Sequence, residues 1–289
     1  MNTSLPLHIA ILGPGLLGGS MLMALRASLP GVHLRAWARR PEAAAVLMER
    51  GFADLASSRL EEILPGVGLV VLCTPVETMP ALAAELVTLQ SLVAPGCVVT
   101  DVGSVKTTVV TALEDAFARS TYRFVGSHPM AGSERAGLEA ARVELFQRAA
   151  CLITPTLFTE DTALATIRAF WALLGCRVLE MSPEEHDRKV ARISHLPHVA
   201  AAVTALAALH EDPSAAACAG NGFRDTTRVA AGDPALWTGI LLENRDEVRA
   251  SILAARDLYN ELLAILDNVD DRALRHFLQN AKTLRDGVV

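Results

Sequence analysis

The chain has 289 residues, of which 51% are hydrophobic and 20% are charged, and its mean hydropathy is +0.32. This length exceeds the usual size of one domain, so we expect two domains. The formal net charge of -6 gives no sign of the basic surface that binds a nucleic acid or an anionic membrane, so neither is expected as a partner.

The cysteines argue against a disulfide framework and against a zinc site, and no metal is predicted. They are odd in number, widely spaced and without a C-x-x-C pair: Cys73, Cys97, Cys151, Cys176 and Cys218. The longest uncharged apolar stretch, residues 199–209, is too short to cross a bilayer. We therefore expect a cytoplasmic protein with reduced cysteines.

The first half of the chain alternates short aliphatic or β-branched runs with helical segments, which is typical of a doubly wound parallel sheet. The candidate strands cover residues 8–12, 33–37, 69–73, 98–101, 123–126 and 150–154. After Pro155, long patterns rich in Ala and Leu replace the strands. We therefore predict an α/β chain with a Rossmann domain at residues 1–156 and an all-helical domain at 157–289.

Two start signals predict the main helices of the second half. The sequence SPEE from Ser182 combines an N-cap, a proline in the first turn and a capping-box glutamate, which predicts a helix to about His210, kinked at Pro197. The sequence DP from Asp233 predicts another long helix, whose apolar stripe is typical of a core or a subunit interface. The helical domain is therefore expected to form a homodimer.

A glycine fingerprint, GPGLLG, begins at Gly13 between the first strand and a helical segment. Gly13 permits a tight turn, Gly15 lets the backbone approach a pyrophosphate, and Gly18 allows the helix to pack closely on the strand. The phosphates would lie at the helix N-terminus, where Leu16 and Leu17 follow. This context predicts a dinucleotide site; a glycine-rich turn that binds nothing is the alternative.

The end of the second strand carries no acidic residue of the kind that binds the ribose 2′-hydroxyl in an NAD site. Arg39 and Arg40 stand there instead and could meet the 2′-phosphate of NADP, although two solvated arginines are the plain alternative. The expected cofactor is therefore NADP or NAD, and the two arginines favour NADP. Thr74 and Pro75 follow the candidate strand 69–73 and are expected near the nicotinamide side, unless they form only a strand-ending turn.

Polar clusters follow two further strands, and two more lie in the helical half. DVGSVK begins at Asp101 and SHPMAGSE at Ser127, where the carboxyl ends of strands face the ligand crevice of an open α/β sheet. SHLPH begins at Ser194 and GFRDTTR at Gly222. Singly, such residues are usually structural; together they supply a base, a hydroxyl and a cation for a carboxylate.

These motifs, in this order, resemble the prephenate/arogenate (cyclohexadienyl) dehydrogenase family of tyrosine biosynthesis over nearly the whole chain. SPEEHD at residues 182–187 and DPALW at 233–237 also match. The resemblance implies a 6-phosphogluconate dehydrogenase-like fold and an NAD(P)-dependent oxidoreductase. It implies oxidative decarboxylation of prephenate to 4-hydroxyphenylpyruvate, with conversion of arogenate to tyrosine as the alternative.

The resemblance also assigns catalytic roles. His128 is implied to accept a proton from the C4 hydroxyl of the substrate ring, and Ser104 to orient that hydroxyl and the histidine. A histidine base with a pKa near its ordinary value of about 6.5 suits this task. His186 and Trp237 match motif positions, in supporting roles or in contact with substrate.

The binding residues implied by the resemblance lie mostly in the helical half. Arg228 is expected to bind a substrate carboxylate, because its guanidinium offers a bidentate fork. His198 is expected near the other end of the substrate, and Glu134 with Asp225 would form an ionic gate. Other two-domain dehydrogenases, such as β-hydroxyacid dehydrogenases or imine reductases, give no reason for these clusters; a catalytically silent dinucleotide sensor remains the alternative of another class.

Overall fold

The structure is a computed structural model and describes residues 5–133, 135 and 137–288. The predicted site residue Glu134 therefore lies outside the described residues. The strands are β1 (His8–Leu12), β2 (His33–Trp37), β3 (Leu55–Ser57), β4 (Leu69–Leu72), β5 (Val98–Asp101), β6 (Arg123–Pro129), β7 (Ala150–Thr154) and β8 (Arg177–Glu180). They form one sheet in the order β3-β2-β1-β4-β5-β6-β7-β8.

In the described part of the chain, six α-helices pack with the sheet and six more follow it. The first group is α1 (Leu16–Ser28), α2 (Pro41–Glu49), α3 (Leu60–Ile63), α4 (Met79–Thr88), α5 (Thr107–Phe117) and α6 (Asp161–Leu173). The second is α7 (Pro183–Val190), α8 (Leu196–Leu209), α9 (Asn221–Thr227), α10 (Pro234–Glu243), α11 (Arg245–Asp267) and α12 (Asp271–Asp286).

Strands β1 to β6 pair in parallel, in the strand order of a dinucleotide-binding sheet. The chain order reverses between β1 and β4, so a crevice opens above the carboxyl ends of these two strands. Strand β7 pairs with β6 antiparallel, and β8 pairs with β7 parallel. The predicted doubly wound sheet is confirmed, with one antiparallel pairing added at its far edge.

The sheet separates two apolar cores, because side chains alternate between its faces. Ile9 and Ile11 of β1 belong to the core that includes Trp171 of α6. Ala10 and Leu12 belong to the core on the opposite face, against α4 and α5. Burial on both faces explains why β1, β4 and β5 are near-continuous aliphatic runs.

The sheet continues past the predicted domain boundary at residue 156. Helix α6 packs in the same core as β1, and β8 pairs with β7 in the same sheet. The helical region proper follows at the cap of α7, where the Ser182 hydroxyl accepts from the Glu185 amide. We therefore propose residue 181 as the boundary.

The predicted helix from Ser182 to His210 is helical almost throughout, with an irregular middle. Helix α7 passes into a five-residue π-helix, Ala191–His195, which leads into α8. Pro197 lacks an N–H and lies in the first turn of α8, so the regular hydrogen-bond ladder is interrupted just before it.

Within the described part of the chain, no helix combines the length and the apolarity needed to cross a membrane.

Candidate active site

The glycine turn after β1 is as tight as the sequence predicts. Gly13 has φ of +98°, and a Cβ there would lie 2.8 Å from the carbonyl oxygen of Cys73. A Cβ on Gly18 would lie 2.6 Å from the Gly13 carbonyl oxygen. Both positions therefore exclude a side chain, because backbone atoms occupy the space. Helix α1 begins at Leu16, directly after Gly15.

A dinucleotide phosphate fits this turn. No described heavy atom lies within 4 Å of a Cβ built on Gly15, so the space in front of the α1 N-terminus is open. No acidic side chain stands in the first turn of α1. The Thr74 hydroxyl, beside the turn, is buried without a hydrogen-bond partner among the described residues. Open space, free helix N–H groups and an unused hydroxyl are what a bound phosphate requires.

The other predicted cofactor residues lie around this crevice. Leu16 and Leu17 open α1 and are half-buried, and Pro75 is exposed in the turn that follows β4. Arg39 and Arg40 are exposed after β2. The structure therefore leaves both arginines accessible to a ligand.

The turn after β5 is held by a buried ion pair. Lys106 and Asp101 are both fully buried and bonded to each other, and Asp101 also accepts from the Gly103 amide at 2.8 Å. These contacts fix the turn that carries Ser104, which lies between Asp101 and Lys106 in sequence and is half-buried. Within the described part of the chain no hydrogen bond joins the Ser104 hydroxyl to His128, and the orienting role implied for Ser104 stays a prediction.

His128 lies near the carboxyl end of β6 and joins a chain of buried hydrogen bonds. Its Nδ1 lies 2.9 Å from Nε2 of His186 on α7. The Nδ1 of His186 lies 2.8 Å from Oδ1 of Asp187. Asp187 in turn accepts from the backbone amides of Lys106 and Thr107, both at 2.8 Å. The helical region thereby reaches the sheet at the predicted base.

His128 is neutral over a wider pH range than the sequence suggests. Burial, together with the neighbouring His186, Lys106 and His195, holds the pKa of His128 well below its usual range. The expectation of a pKa near 6.5 is therefore wrong, because desolvation opposes the charged ring. A neutral imidazole is the form that can accept a proton.

His195 is a residue of this site that the sequence reasoning did not single out. Asn244 donates from one amide nitrogen to the Asp187 carbonyl at 2.9 Å and lies 3.2 Å from Nδ1 of His195. The donor from Asn244 leaves the His195 proton on Nε2, which is buried without a partner among the described residues. Burial lowers the pKa of His195 to about 4. His195 is therefore neutral, and its Nε2–H can donate to an acceptor that the described residues do not supply.

The predicted binding residue His198 stacks on Trp237. Their ring centroids are 3.5 Å apart and the planes differ by 11°. His198 is nearly buried, and burial lowers its pKa although a hydrogen bond with the Val229 backbone acts in the opposite direction. Val229 directly follows Arg228, so the predicted carboxylate-binding arginine and His198 belong to one neighbourhood.

Arg228 and Asp225 are both exposed, on and just after α9. This short helix and the turn that follows it pack against α8, which carries His198. His195 links this neighbourhood to His128, since its ring centroid lies 6.2 Å from that of Trp237 and its presence adds to the effect of burial in lowering the pKa of His128. Hydrogen-bond and ring contacts thus connect His128 with His186, and His195 with His198 through Trp237, whereas the places of Ser104, Arg228 and Asp225 in the site stay predictions.

Comparison with known proteins places the chain in a family. The model described as "Prephenate dehydrogenase, nucleotide-binding domain" matches residues 22–180. The model described as "Prephenate dehydrogenase, dimerization domain" matches residues 182–280. The two ranges meet at residue 181, and the first begins after the glycine turn.

Individual relatives agree with this placement. A prephenate dehydrogenase of Bacillus subtilis is 33% identical over 97% of this chain and 76% of its own length. A cyclohexadienyl dehydrogenase of Zymomonas mobilis is 34% identical over 95% and 94%. The crystal structure of prephenate dehydrogenase from Aquifex aeolicus with hydroxyphenyl propionate and NAD+ has a TM-score of 0.87, at 30% identity and 97% and 98% coverage.

A crystal structure of Synechocystis arogenate dehydrogenase has a TM-score of 0.82, at 31% identity over 97% of this chain and 99% of that one. The two family models together span most of the sequence, and the relatives match it nearly end to end. Both findings agree with the glycine turn and the buried histidines. The chain belongs to the prephenate dehydrogenase family.

Proposed function

We propose that this protein catalyses the NAD(P)-dependent oxidative decarboxylation of prephenate to 4-hydroxyphenylpyruvate. The observation that carries the proposal is His128, a buried neutral imidazole near the carboxyl end of β6, beside the crevice of a dinucleotide-binding sheet. Its Nδ1 is occupied by His186, so Nε2 is the nitrogen left for a substrate. The similarity to the B. subtilis and A. aeolicus enzymes supports this reading.

The reaction balances with one proton-accepting side chain. The dinucleotide, when bound, supplies the acceptor for the hydrogen that leaves C4 as hydride. His128 takes the C4 hydroxyl proton while C4 becomes a carbonyl. The C1 carboxylate then leaves as carbon dioxide, and its bonding electrons aromatise the ring and place a charge on the former hydroxyl oxygen. His128 returns its proton to that phenolate, so no net proton is taken up and the imidazole is neutral again.

The remaining residues bind and orient the substrate in this proposal. Arg228, which is exposed just after α9, pairs with a substrate carboxylate. His198 lies at the other end of the substrate, and Ser104 orients the ring hydroxyl from the braced turn after β5. Asp225 would form a gate with Glu134.

Arogenate is the second candidate substrate, and it differs from prephenate by an amino group in place of the side-chain keto group. The likeness to the Synechocystis arogenate dehydrogenase and to the Z. mobilis cyclohexadienyl dehydrogenase favours testing it. For the cofactor, exposed Arg39 and Arg40 support NADP, whereas the A. aeolicus neighbour was crystallised with NAD+.

The proposed assembly is a homodimer formed through the helical domain. Large apolar side chains are exposed along α11 and α12, including Leu258, Leu263 and Leu278. The match of the dimerization-domain model to residues 182–280 supports this arrangement. We also propose a cytoplasmic location, because the five free cysteines suit a reducing compartment.

One steady-state experiment tests the proposed function. The purified protein is supplied with prephenate or arogenate, each with NAD and with NADP, and both reduced nicotinamide and released carbon dioxide are measured. Equal amounts of the two products with prephenate are expected. Turnover with arogenate alone would assign the second candidate, and no turnover with either compound would favour the dinucleotide sensor.

A further inference from the structure

Three buried side chains form a continuous path of hydrogen bonds from the start of α5 to the proposed base. Asp187, His186 and His128 are 4%, 0% and 7% exposed. The contacts are 2.8 Å from Asp187 Oδ1 to His186 Nδ1 and 2.9 Å from His186 Nε2 to His128 Nδ1. Each histidine nitrogen on this path faces one partner, so the position of one proton decides the positions of the others.

The path begins at an ionised carboxylate. Burial alone would raise the pKa of Asp187, but hydrogen bonds from His186 and from the Thr107 and Lys106 amides outweigh it and lower that pKa. An ionised carboxylate accepts hydrogen bonds and cannot donate one. The His186 Nδ1 that faces it must therefore carry a hydrogen.

The proton on His186 determines the one on His128. Burial and the nearby Lys106 lower the pKa of His186, although Asp187 acts against them, so the ring is neutral and has one hydrogen. With that hydrogen on Nδ1, the Nε2 of His186 is an acceptor. The facing Nδ1 of His128 must then donate, which leaves a lone pair on His128 Nε2.

We propose that Asp187 and His186 are positioning residues that hold His128 in the tautomer with hydrogen on Nδ1, so that Nε2 is the proton-accepting atom. The inference rests on the proposed function. The same Nδ1–H bond to His186 is present before and after Nε2 takes a proton, so proton transfer needs no rearrangement of the path. Asp187 keeps its charge throughout, and it also anchors the α7 end of the path to the N-terminus of α5.

A serine protease triad provides the physical precedent: replacing its buried aspartate with asparagine leaves the geometry intact but puts the histidine in the wrong tautomer, at a cost of about 10⁴-fold in kcat. In this chain Asp187→Asn with its amide nitrogen in the place of Oδ1 would present an N–H to His186, while its oxygen in the place of Oδ2 would still accept from the Thr107 amide. The His186 hydrogen would move to Nε2, and His128 would be left with its hydrogen on Nε2.

Three variants and one control test the proposal. Asp187→Asn and His186→Leu, which removes the acceptor for His128, are each expected to lower kcat by roughly 100-fold or more, the size of a lost general base. His186→Gln places a carbonyl oxygen near the position of the ring Nε2 and should keep kcat within about tenfold of the wild type. Arg188→Gln, an exposed charge change on the same helix, should leave kcat unchanged.

Substrate KM and dinucleotide affinity should change little in all four proteins, because the path does not include the carboxylate-binding or phosphate-binding residues. Circular dichroism and a dinucleotide titration establish that each variant is folded. Nitrogen NMR of isotope-labelled histidine, with His128→Asn used for assignment, reads the tautomer directly. The expected wild-type spectrum has hydrogen on His128 Nδ1, and Asp187→Asn moves it to Nε2.

Hydrogen on Nε2 of His128 in the wild type would overturn the proposal. So would kcat of Asp187→Asn and His186→Leu within a few-fold of the wild type while His128→Asn is inactive. If the wild type oxidises neither cyclohexadienol, or if His128→Asn keeps its turnover, it is the proposed function or its base that fails. The wild-type ring-nitrogen spectrum still supports or overturns the tautomer in that case, since it needs neither substrate nor a relay variant.

Discussion

The rings of His198 and Trp237 lie face to face with their centroids 3.5 Å apart, and this stack joins α8 to α10. Gly232 lies against its edge. A Cβ on Gly232 would be 2.5 Å from the Trp237 ring nitrogen and 3.3 Å from a carbon of His198. The stack is therefore packed so closely that only glycine fits beside it.

Gly232→Ala is expected to separate the stack and to raise the KM for the cyclohexadienol while leaving dinucleotide affinity unchanged. Overpacking of this kind costs about 1–3 kcal/mol of unfolding free energy. Denaturant unfolding and steady-state kinetics measure both effects. Gly239→Ala on α10 is the matched control, because no described heavy atom lies within 4 Å of its Cβ; equal behaviour of the two variants would contradict the prediction.

Arg228→Ala is expected to raise the substrate KM about 10- to 100-fold, since losing a charge-assisted hydrogen bond costs about 1.5–3 kcal/mol. Arg228→Lys should recover little, because an ammonium cannot form the bidentate contact. Steady-state kinetics at saturating dinucleotide measure the change. Arg249→Ala, an exposed arginine on α11, is the control. An unchanged KM in Arg228→Ala would remove Arg228 from the site.

How far the sequence predicts the fold depends on burial. The predicted bounds of β1, β2, β5 and β7 coincide with the structure, because buried strands are aliphatic runs between turn residues. Strands β3 and β8 were missed because they have three and four residues, contain no buried residue, and read LAS and RVLE. The antiparallel pairing of β7 was also missed, since strand direction is decided by tertiary contacts.

The site was predictable where a motif carries its own geometry and not where distant residues meet. The glycine turn and His128 follow from local sequence. The contact of His128 with His186 spans 58 residues, and the bond from Asn244 to Asp187 spans 57. Nothing local indicates which nitrogen of His195 is left without a partner. The SHLPH motif with Pro197 was the available signal, since an interrupted helix often marks a functional site.

Arg39→Ala is expected to weaken NADP binding more than NAD binding, because the exposed guanidinium after β2 would lose a phosphate partner present only in NADP. Fluorescence titration of both dinucleotides measures the two affinities. Arg119→Ala, an exposed arginine beyond α5, should change neither. If both affinities fall equally in Arg39→Ala, or neither falls, the arginine has no part in cofactor choice.

The helical domain is expected to hold the protein as a dimer at micromolar concentration, because exposed leucines on α11 and α12 need a partner surface. Leu263→Glu should shift sedimentation toward the monomer, since a buried carboxylate opposes association. Leu157→Glu, fully exposed on the connection after β7, is the control and should stay dimeric. A wild-type monomer would contradict the expectation.

The acid limb of kcat/KM is expected below the ordinary histidine pKa of about 6.5, because the rate requires neutral His128 in the free enzyme. Burial and the facing groups His186, Lys106 and His195 all lower its pKa. In the unfolded chain His128 titrates at its ordinary value, so the unfolded state binds more protons between the two pKa values. Stability therefore falls as pH falls below about 6.5 toward the folded-state pKa. Kinetics and denaturant unfolding across pH measure the two trends.

His128→Asn separates the base from the other ionisable groups. Asparagine keeps some hydrogen bonding but cannot take the proton, so kcat should drop by roughly 10²- to 10⁴-fold. The variant should still bind dinucleotide, since the phosphates are held at the glycine turn, and its residual rate should lack the acid limb. Its stability should also depend less on pH below about 6.5 than that of the wild type, because one titrating group has been removed. Turnover within a few-fold of the wild type, with the acid limb retained, would transfer the base role to another histidine of the site, with His198 the first to test.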